Sequence, residues 1–119
     1  LKNVGVAYID LNGLKAINDN YGHSKGDKFI CTAADTFKMV FPDNSYRVGG
    51  DEFVIIEQNI ERDKYEERIT ALKNIMQDKQ VSISIGVLWR EQVDDLEALL
   101  KSADKLMYME KEMYHKNRE

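Results

Sequence analysis

The stretch Arg47-Val48-Gly49-Gly50-Asp51-Glu52-Phe53 sets the strongest constraint on the fold. Two β-prone runs flank it, Ser45 to Val48 before and Phe53 to Ile56 after. Glycine takes the positive φ angles of tight primed turns without steric penalty, so Gly49-Gly50 predicts a two-stranded hairpin. Two carboxylates, Asp51 and Glu52, follow at once. A turn without side chains beside paired acids lets a bulky anion approach the backbone and offers oxygen ligands to a divalent cation. An ordinary hairpin with solvated acids at its tip fits these seven residues equally well.

The chain has 119 residues, 43% of them hydrophobic and 32% charged. That composition predicts a single globular domain over residues 1–119 with a real core. No apolar run approaches the roughly 18 residues of a membrane span, so the domain itself is expected to make no membrane contact. The net charge of −4 gives no electrostatic case for nucleic acid as a partner. An acidic protein that handles nucleotides would need metal ions to offset the phosphates. Cys31 is the only cysteine, which excludes an internal disulfide and fits a reducing cytosol. The chain opens directly on a strand, which suggests a piece of something longer.

Val4 to Leu11 reads as a buried strand with Asp10 at its C-terminal end. Ligand sites of open α/β sheets gather at such ends. Asn12-Gly13 forms the bend, with Asn12 as expected N-cap of a short helix burying Leu14, Ile17 and Tyr21 and stopping at Gly22. A glycine bend feeding a helix N-terminus suits phosphate, although most such turns bind nothing. Ser24 with Asp27 predicts a capping box for the next helix, whose apolar face is Ile30, Ala33, Ala34, Phe37 and Phe41 and which Pro42 terminates. The residues alone make Asp27 a capping residue and His23 a loop hydrogen-bonder.

After the hairpin, Asn59 is expected to begin a third helix with Tyr65, Ile69, Leu72, Ile75 and Met76 inward. Val81 to Val87 alternates strictly and reads as a strand, with Trp89 and Arg90 at its frayed end. Ser82, Ser84 and Gly86 are small and permit close helix packing on one face. Asp94 with Glu97 is expected to cap the last helix, whose core stripe is Leu96, Leu99, Leu100, Ala103, Leu106 and Met107. Asp104, Tyr108, Lys111 and His115 share another face, open either to a phosphate or simply to solvent.

The predicted order β-α-α-β-β-α-β-α makes an α+β sandwich: a mixed or antiparallel central sheet flanked by helices. If the strands bearing Asp10 and Asp51 are neighbours, their carboxylates converge, as in polymerase palms and nucleotide cyclases. Such a pair can hold two Mg²⁺ ions roughly 3.5–4 Å apart.

Gly49-Gly50-Asp51-Glu52-Phe53 is the signature of the GGDEF family, the diguanylate cyclases, and the resemblance extends along the chain. Tyr8 to Asp27 resembles the family's motif D-x-(D/N)-x-(F/L)-K-x-(I/V)-N-D-x-(Y/F)-G-H-x-x-G-D. Ser82 to Val87 is similar to its (T/V)-x-S-x-G-(V/I) strand, and Ala103 to Lys111 to its A-D-x-x-(M/L)-Y-x-x-K helix.

The resemblance implies roles residue by residue. Asp10, the Leu11 carbonyl and Asp51 would hold Mg²⁺ or Mn²⁺, two ions per site, with Glu52 a further ligand or catalytic carboxylate beside Asp51. Asn18 and Asp27 would bond the guanine of GTP, with His23 nearby. Adenine would leave Asp27 unpaired. Amides of Gly13, Leu14 and Lys15 would cradle the triphosphate, Gly50 would admit ribose and phosphates, and Lys111 and His115 would offset charge. The family reaction condenses two GTP into cyclic di-GMP and two pyrophosphates, each 3′-hydroxyl attacking the other α-phosphate, which requires two facing domains.

Departures from the family pattern carry expectations too. Gly13 stands where many relatives have Phe, and His115 where a second basic phosphate contact is often Arg. The product-inhibition motif R-x-x-D lacks its Arg in Val40-Phe41-Pro42-Asp43, so no feedback binding of cyclic di-GMP is expected there. The family's leading segment is absent, which implies an N-terminal sensor or dimerising module in the parent chain. The resemblance puts the domain in the cytoplasm, free or as part of a membrane-anchored sensor. A catalytically weak domain that binds GTP and regulates a partner is the alternative to an active cyclase, and an adenine-using cyclase or polymerase-like enzyme is a third.

Overall fold

The structure is a computed structural model in which residues 1–118 are described. The elements are β1 (Lys2–Leu11), α1 (Leu14–Tyr21), α2 (His23–Val40), β2 (Ser45–Arg47), β3 (Glu52–Glu57), α3 (Arg62–Asp78), β4 (Ile83–Gln92) and α4 (Leu96–Arg118). Their order is the one the sequence predicts. The four strands form one sheet in the order β2-β3-β1-β4, and every pairing is antiparallel.

Side chains alternate along each strand, so the sheet has two apolar faces. On one lie Ala7, Ile9 and Leu11 of β1, Phe53 and Ile55 of β3 and Ile85 of β4, packed with Phe37 of α2 and Tyr65, Leu72 and Met76 of α3. On the other, Val4 and Val6 pack with Leu99 and Ala103 of α4. Apolar burial on both faces is what holds a chain of this size together. Close approach of a helix to the sheet is needed twice. A Cβ on Gly5 would stand 2.4 Å from the Tyr65 ring, and one on Gly86 would stand 1.9 Å from the Ala103 carbonyl oxygen. The small residues on β4 do admit a close helix.

Several local expectations are corrected. Neither Gly49 nor Gly50 has a positive φ. The last ladder pair is Arg47 with Phe53, so the connection is longer than a two-residue primed turn. The Arg47 guanidinium closes it instead, donating to the Gly50 carbonyl at 2.6 Å. Gly13, at φ 81°, is the N-cap residue of α1 and provides no side-chain cap. Asn12 points elsewhere, as described below. The Ser24–Asp27 box does not form, because α2 starts at His23 straight after Gly22. Helix α3 starts at Arg62 rather than near Asn59. The cap of α4 is Asp95, whose Oδ1 accepts the Ala98 N–H at 3.0 Å.

Burial differs at several points, and so does the end of β4. Tyr21 is 71% exposed and Leu106 40% exposed. Leu14 and Ile17 are only partly buried, and α1 buries no residue completely. The end of β4 is not frayed. Trp89 pairs with Gly5 across the sheet, and its indole N–H donates to the Ile60 carbonyl at 2.9 Å.

Candidate active site

The register of the sheet builds the site. Asp10 on the central strand stands opposite Glu52 of β3 on one side and Ser84 of β4 on the other. Opposed residues in an antiparallel pair share a face, so all three project under α4. One residue on, the Leu11 N–H donates to the Asp51 carbonyl at 2.9 Å, tying the hairpin loop to the end of β1. The carboxylates of Asp10, Asp51 and Glu52 therefore gather at one end of the two central strands.

Helix α4 adds a cation. Lys111 Nζ donates to Asp10 Oδ1 at 3.3 Å, to the Leu11 carbonyl at 3.0 Å and to Asn12 Oδ1 at 2.9 Å. The Lys111 side chain is 17% exposed and that of Asp10 16%, so the pair sits largely out of water.

This crowding shifts the acids. Burial raises the Asp10 pKa to about 6, with Lys111 pulling it down and the Asp51 carboxylate pushing it up. Glu52 is raised by burial and by the charges of Asp104 and Asp51, against the opposing effect of Lys111. The Tyr8 hydroxyl is raised by burial and then by Glu52, Asp104 and Asp10. Asp104 thus faces the acid cluster rather than solvent alone.

Beside the acids lies a cavity of about 610 Å³. Its walls include Leu11, Gly13, Leu14, Lys15, Asp51, Lys111 and His115, all named from the sequence, and also Tyr114 and Asp19. Gly50 is exposed, and a Cβ there would have nothing within 4 Å. The N-terminus of α1, where first-turn amides lack helical partners, opens on the same space. Asn18, His23 and Asp27 lie outside this cavity, where α1 meets α2. His23 and Asp27 are exposed. Asn18 Oδ1 is buried with no partner, pressed against Gly26, where a Cβ would stand 1.7 Å from it.

Sequence reasoning missed Asn12, Ser84 and Tyr114. Tyr114 follows Lys111 by three positions, one helical turn, and that spacing was its available signal. Asn12 and Ser84 look like a cap and a packing residue until the sheet register is known.

The oxygen donors fit a hard divalent ion. Carboxylates and a backbone carbonyl are the class that Mg²⁺ and Mn²⁺ take. The Lys111 ammonium already rests on two of them, so the spot is built for positive charge. Among the described residues, no group of three or more carboxylate, imidazole or thiol side chains is preassembled to hold an ion. Such an ion would draw its remaining ligands from water and substrate phosphates. No helix is long and apolar enough to cross a membrane among the described residues.

Comparison with known proteins bears on this geometry. The family model "Diguanylate cyclase, GGDEF domain" matches residues 1–117. Signaling protein YkoW of Bacillus subtilis is 38% identical over 124 residues, covering 92% of this chain and 15% of that protein. Diguanylate cyclase DgcS of Shewanella oneidensis is 34% identical over 115 residues, covering 91% of this chain and 39% of that one. The chain thus spans well under half the length of either relative. The active GGEEF domain of a diguanylate cyclase from Vibrio cholerae superposes with a TM-score of 0.77 at 25% identity, covering 91% of this chain and 76% of that chain.

Proposed function

Because the chain belongs to the GGDEF, diguanylate cyclase, domain family, we propose that it condenses two GTP into cyclic di-GMP and two pyrophosphates. The observation that carries this reading is the joining of Asp10 and Asp51 through the Leu11 N–H and the Asp51 carbonyl, 2.9 Å apart, under the Lys111 ammonium.

The chain's own residues divide the work. Gly13, Leu14 and Lys15 present amides at the start of α1 to the triphosphate, and Lys111 with His115 offsets its charge. Gly50 leaves room for ribose and phosphates. Asn18 and Asp27 receive guanine, where the donors of N1 and the exocyclic amine distinguish it from adenine. Asp10, Asp51, Glu52 and the Leu11 carbonyl would hold the two Mg²⁺ or Mn²⁺ ions. Those ions supply Lewis-acid activation of the attacking hydroxyl and the leaving oxygen when bound. Asp51 or Glu52 would be the catalytic carboxylate that takes the hydroxyl proton, with metal-bound water as the alternative acceptor. Catalysis is chiefly positioning and charge neutralisation. One domain binds one GTP, so two copies face each other in the productive state.

The test is product analysis. The domain, dimerised through a fused parallel coiled coil, is incubated with GTP and Mg²⁺, and cyclic di-GMP is sought by mass spectrometry. Product that disappears in Asp51→Ala is the expected result. GTP binding without product shifts the reading to a GTP-sensing regulatory domain. Product formed equally from ATP would sink the guanine assignment.

A further inference from the structure

Asn12 is only 5% exposed, although it belongs to neither β1 nor α1. Its backbone N–H donates to the Ser82 carbonyl at 2.9 Å. Its Nδ2 donates to Ser82 Oγ at 3.0 Å, and its Oδ1 accepts from Ser84 Oγ at 2.9 Å. Ser84 is itself fully buried. Oδ1 has a second lone pair, and Lys111 Nζ takes it at 2.9 Å. The amide cannot be turned over, because that would aim Nδ2 at an ammonium, which has donors and no acceptor.

The ammonium has three N–H donors, and the Asp10 carboxylate, the Leu11 carbonyl and Asn12 Oδ1 accept them. Two of those acceptors are the groups assigned above to the metal. A divalent ion held by them would repel the ammonium and take its acceptors. Asn12 Oδ1 would be the neutral partner that remains, and Ser82, just before β4, and Ser84 on it hold the amide still.

We propose that Asn12, locked by Ser82 and Ser84, is a positioning residue that anchors the Lys111 ammonium at the phosphate side of the cavity when Asp10 and the Leu11 carbonyl turn to a metal. This rests on the reading of Lys111 as a phosphate contact. Without the anchor, a long flexible side chain on the last turns of α4 is free to leave the site. Asn12 acts through Lys111 and needs no contact with the substrate.

A double-mutant cycle tests it in the intact chain. Affinity for a non-hydrolysable GTP analogue with Mg²⁺ is measured by calorimetry in wild type, Asn12→Ala, Lys111→Ala and the double variant. Asn12→Ala is expected to weaken binding roughly tenfold, the scale of one charge-assisted hydrogen bond, and to add nothing once Lys111 is gone. An equal loss in both backgrounds overturns the proposal. A second readout needs no nucleotide: the rate at which an amine-acylating reagent labels Lys111 in the presence of saturating Mg²⁺, which would occupy Asp10 and the Leu11 carbonyl, followed by peptide mass spectrometry. Asn12→Ala and the milder Ser84→Ala should each speed labelling of Lys111 several-fold relative to exposed Lys105. Asn12→Asp, which keeps an acceptor, should restore slow labelling. Unchanged rates in both variants overturn the anchoring role. If wild type fails to bind the analogue, the functional reading falls, and the labelling rates still decide the anchor.

Discussion

The Lys111 ammonium stands 3.3 Å from Asp10 Oδ1, across a sequence separation of 101 residues. Apolar packing of α4 on β1 brings the two together, and Lys111 offsets part of the acid cluster's charge there. Lys111 lowers the Asp10 pKa, while burial and Asp51 hold it up at about 6. In protein freed of metal by a chelator, the Asp10 carboxyl should therefore titrate near pH 6, followed by its carboxyl ¹³C shift. Lys111→Met should move that titration higher, since its lowering influence is gone. Titration near pH 4 in wild type would refute the crowding described here. The same variant should lower kcat/KM for GTP by roughly 10², the scale of losing one preorganised charge partner.

Gly86 has no room for a side chain. An added Cβ would stand 1.9 Å from the Ala103 carbonyl oxygen and 2.6 Å from the Met107 nitrogen. Both are backbone atoms of α4, so the helix as a whole must retreat. Gly86→Ala should destabilise by about 3 kcal/mol, at the upper end of overpacking costs. The melting temperature should fall by roughly 10 °C, measured by circular dichroism. Because α4 carries Lys111, activity should fall further than stability at a temperature where the variant is still folded. A variant that melts like wild type would mean that α4 does not sit where described.

Asn18 separates function from stability. Its Oδ1 is buried without a partner, and a buried acceptor left unpaired costs about 1–3 kcal/mol. Asn18→Ala removes that cost together with a few packing contacts. It should leave the unfolding free energy within about 1 kcal/mol of wild type, or raise it, in urea titration. It should also raise KM for GTP. A destabilisation beyond about 2 kcal/mol would show that Asn18 serves the α1–α2 contact instead.

Much of this was legible in the residues because it depended on periodicity. The alternation of Ile83 to Val87, the helix stripe of Phe37 and Ala33, and the acid at the end of β1 each follow from spacing alone, although β4 begins at Ile83 rather than Val81 and runs on to Gln92. Asp10 and Asp51 meet for a reason the sequence could only make conditional, namely that β1 and β3 are neighbours. What stayed hidden depends on long-range partners. Asn12 looks like a cap until Ser84, 72 positions away, and Lys111 claim its amide. Gly49 and Gly50 look like a primed turn, but Arg47 closes a wider loop with its guanidinium. Trp89 looks frayed until Gly5 pairs with it across the sheet. In each case a local preference lost to a contact that local sequence does not encode.

Tyr65 gives a prediction in alkaline solution. The residue is fully buried, its ring lies flat against Gly5, and its hydroxyl donates to the Val6 carbonyl. Burial first, and the charge of Glu57 second, raise its pKa far above the ordinary tyrosine value. In the unfolded chain the phenol ionises near pH 10. A raised folded pKa means that the native state keeps a proton the unfolded state has released. Stability from this group is therefore fully present below about pH 10 and is lost as pH rises above it, by about 1.4 kcal/mol per pH unit. Tyr65→Phe keeps the ring, loses the hydrogen bond and has nothing to titrate. It should be less stable than wild type by about 1 kcal/mol at neutral pH. That gap should close roughly one unit above pH 10 and then reverse, the other tyrosines cancelling between the two proteins. Urea unfolding at a series of pH values measures it. A gap that stays constant to pH 11.5, about 1.5 units past the free phenol, would mean that Tyr65 ionises in the native state as readily as in the unfolded one, and that its hydroxyl is not sealed against β1.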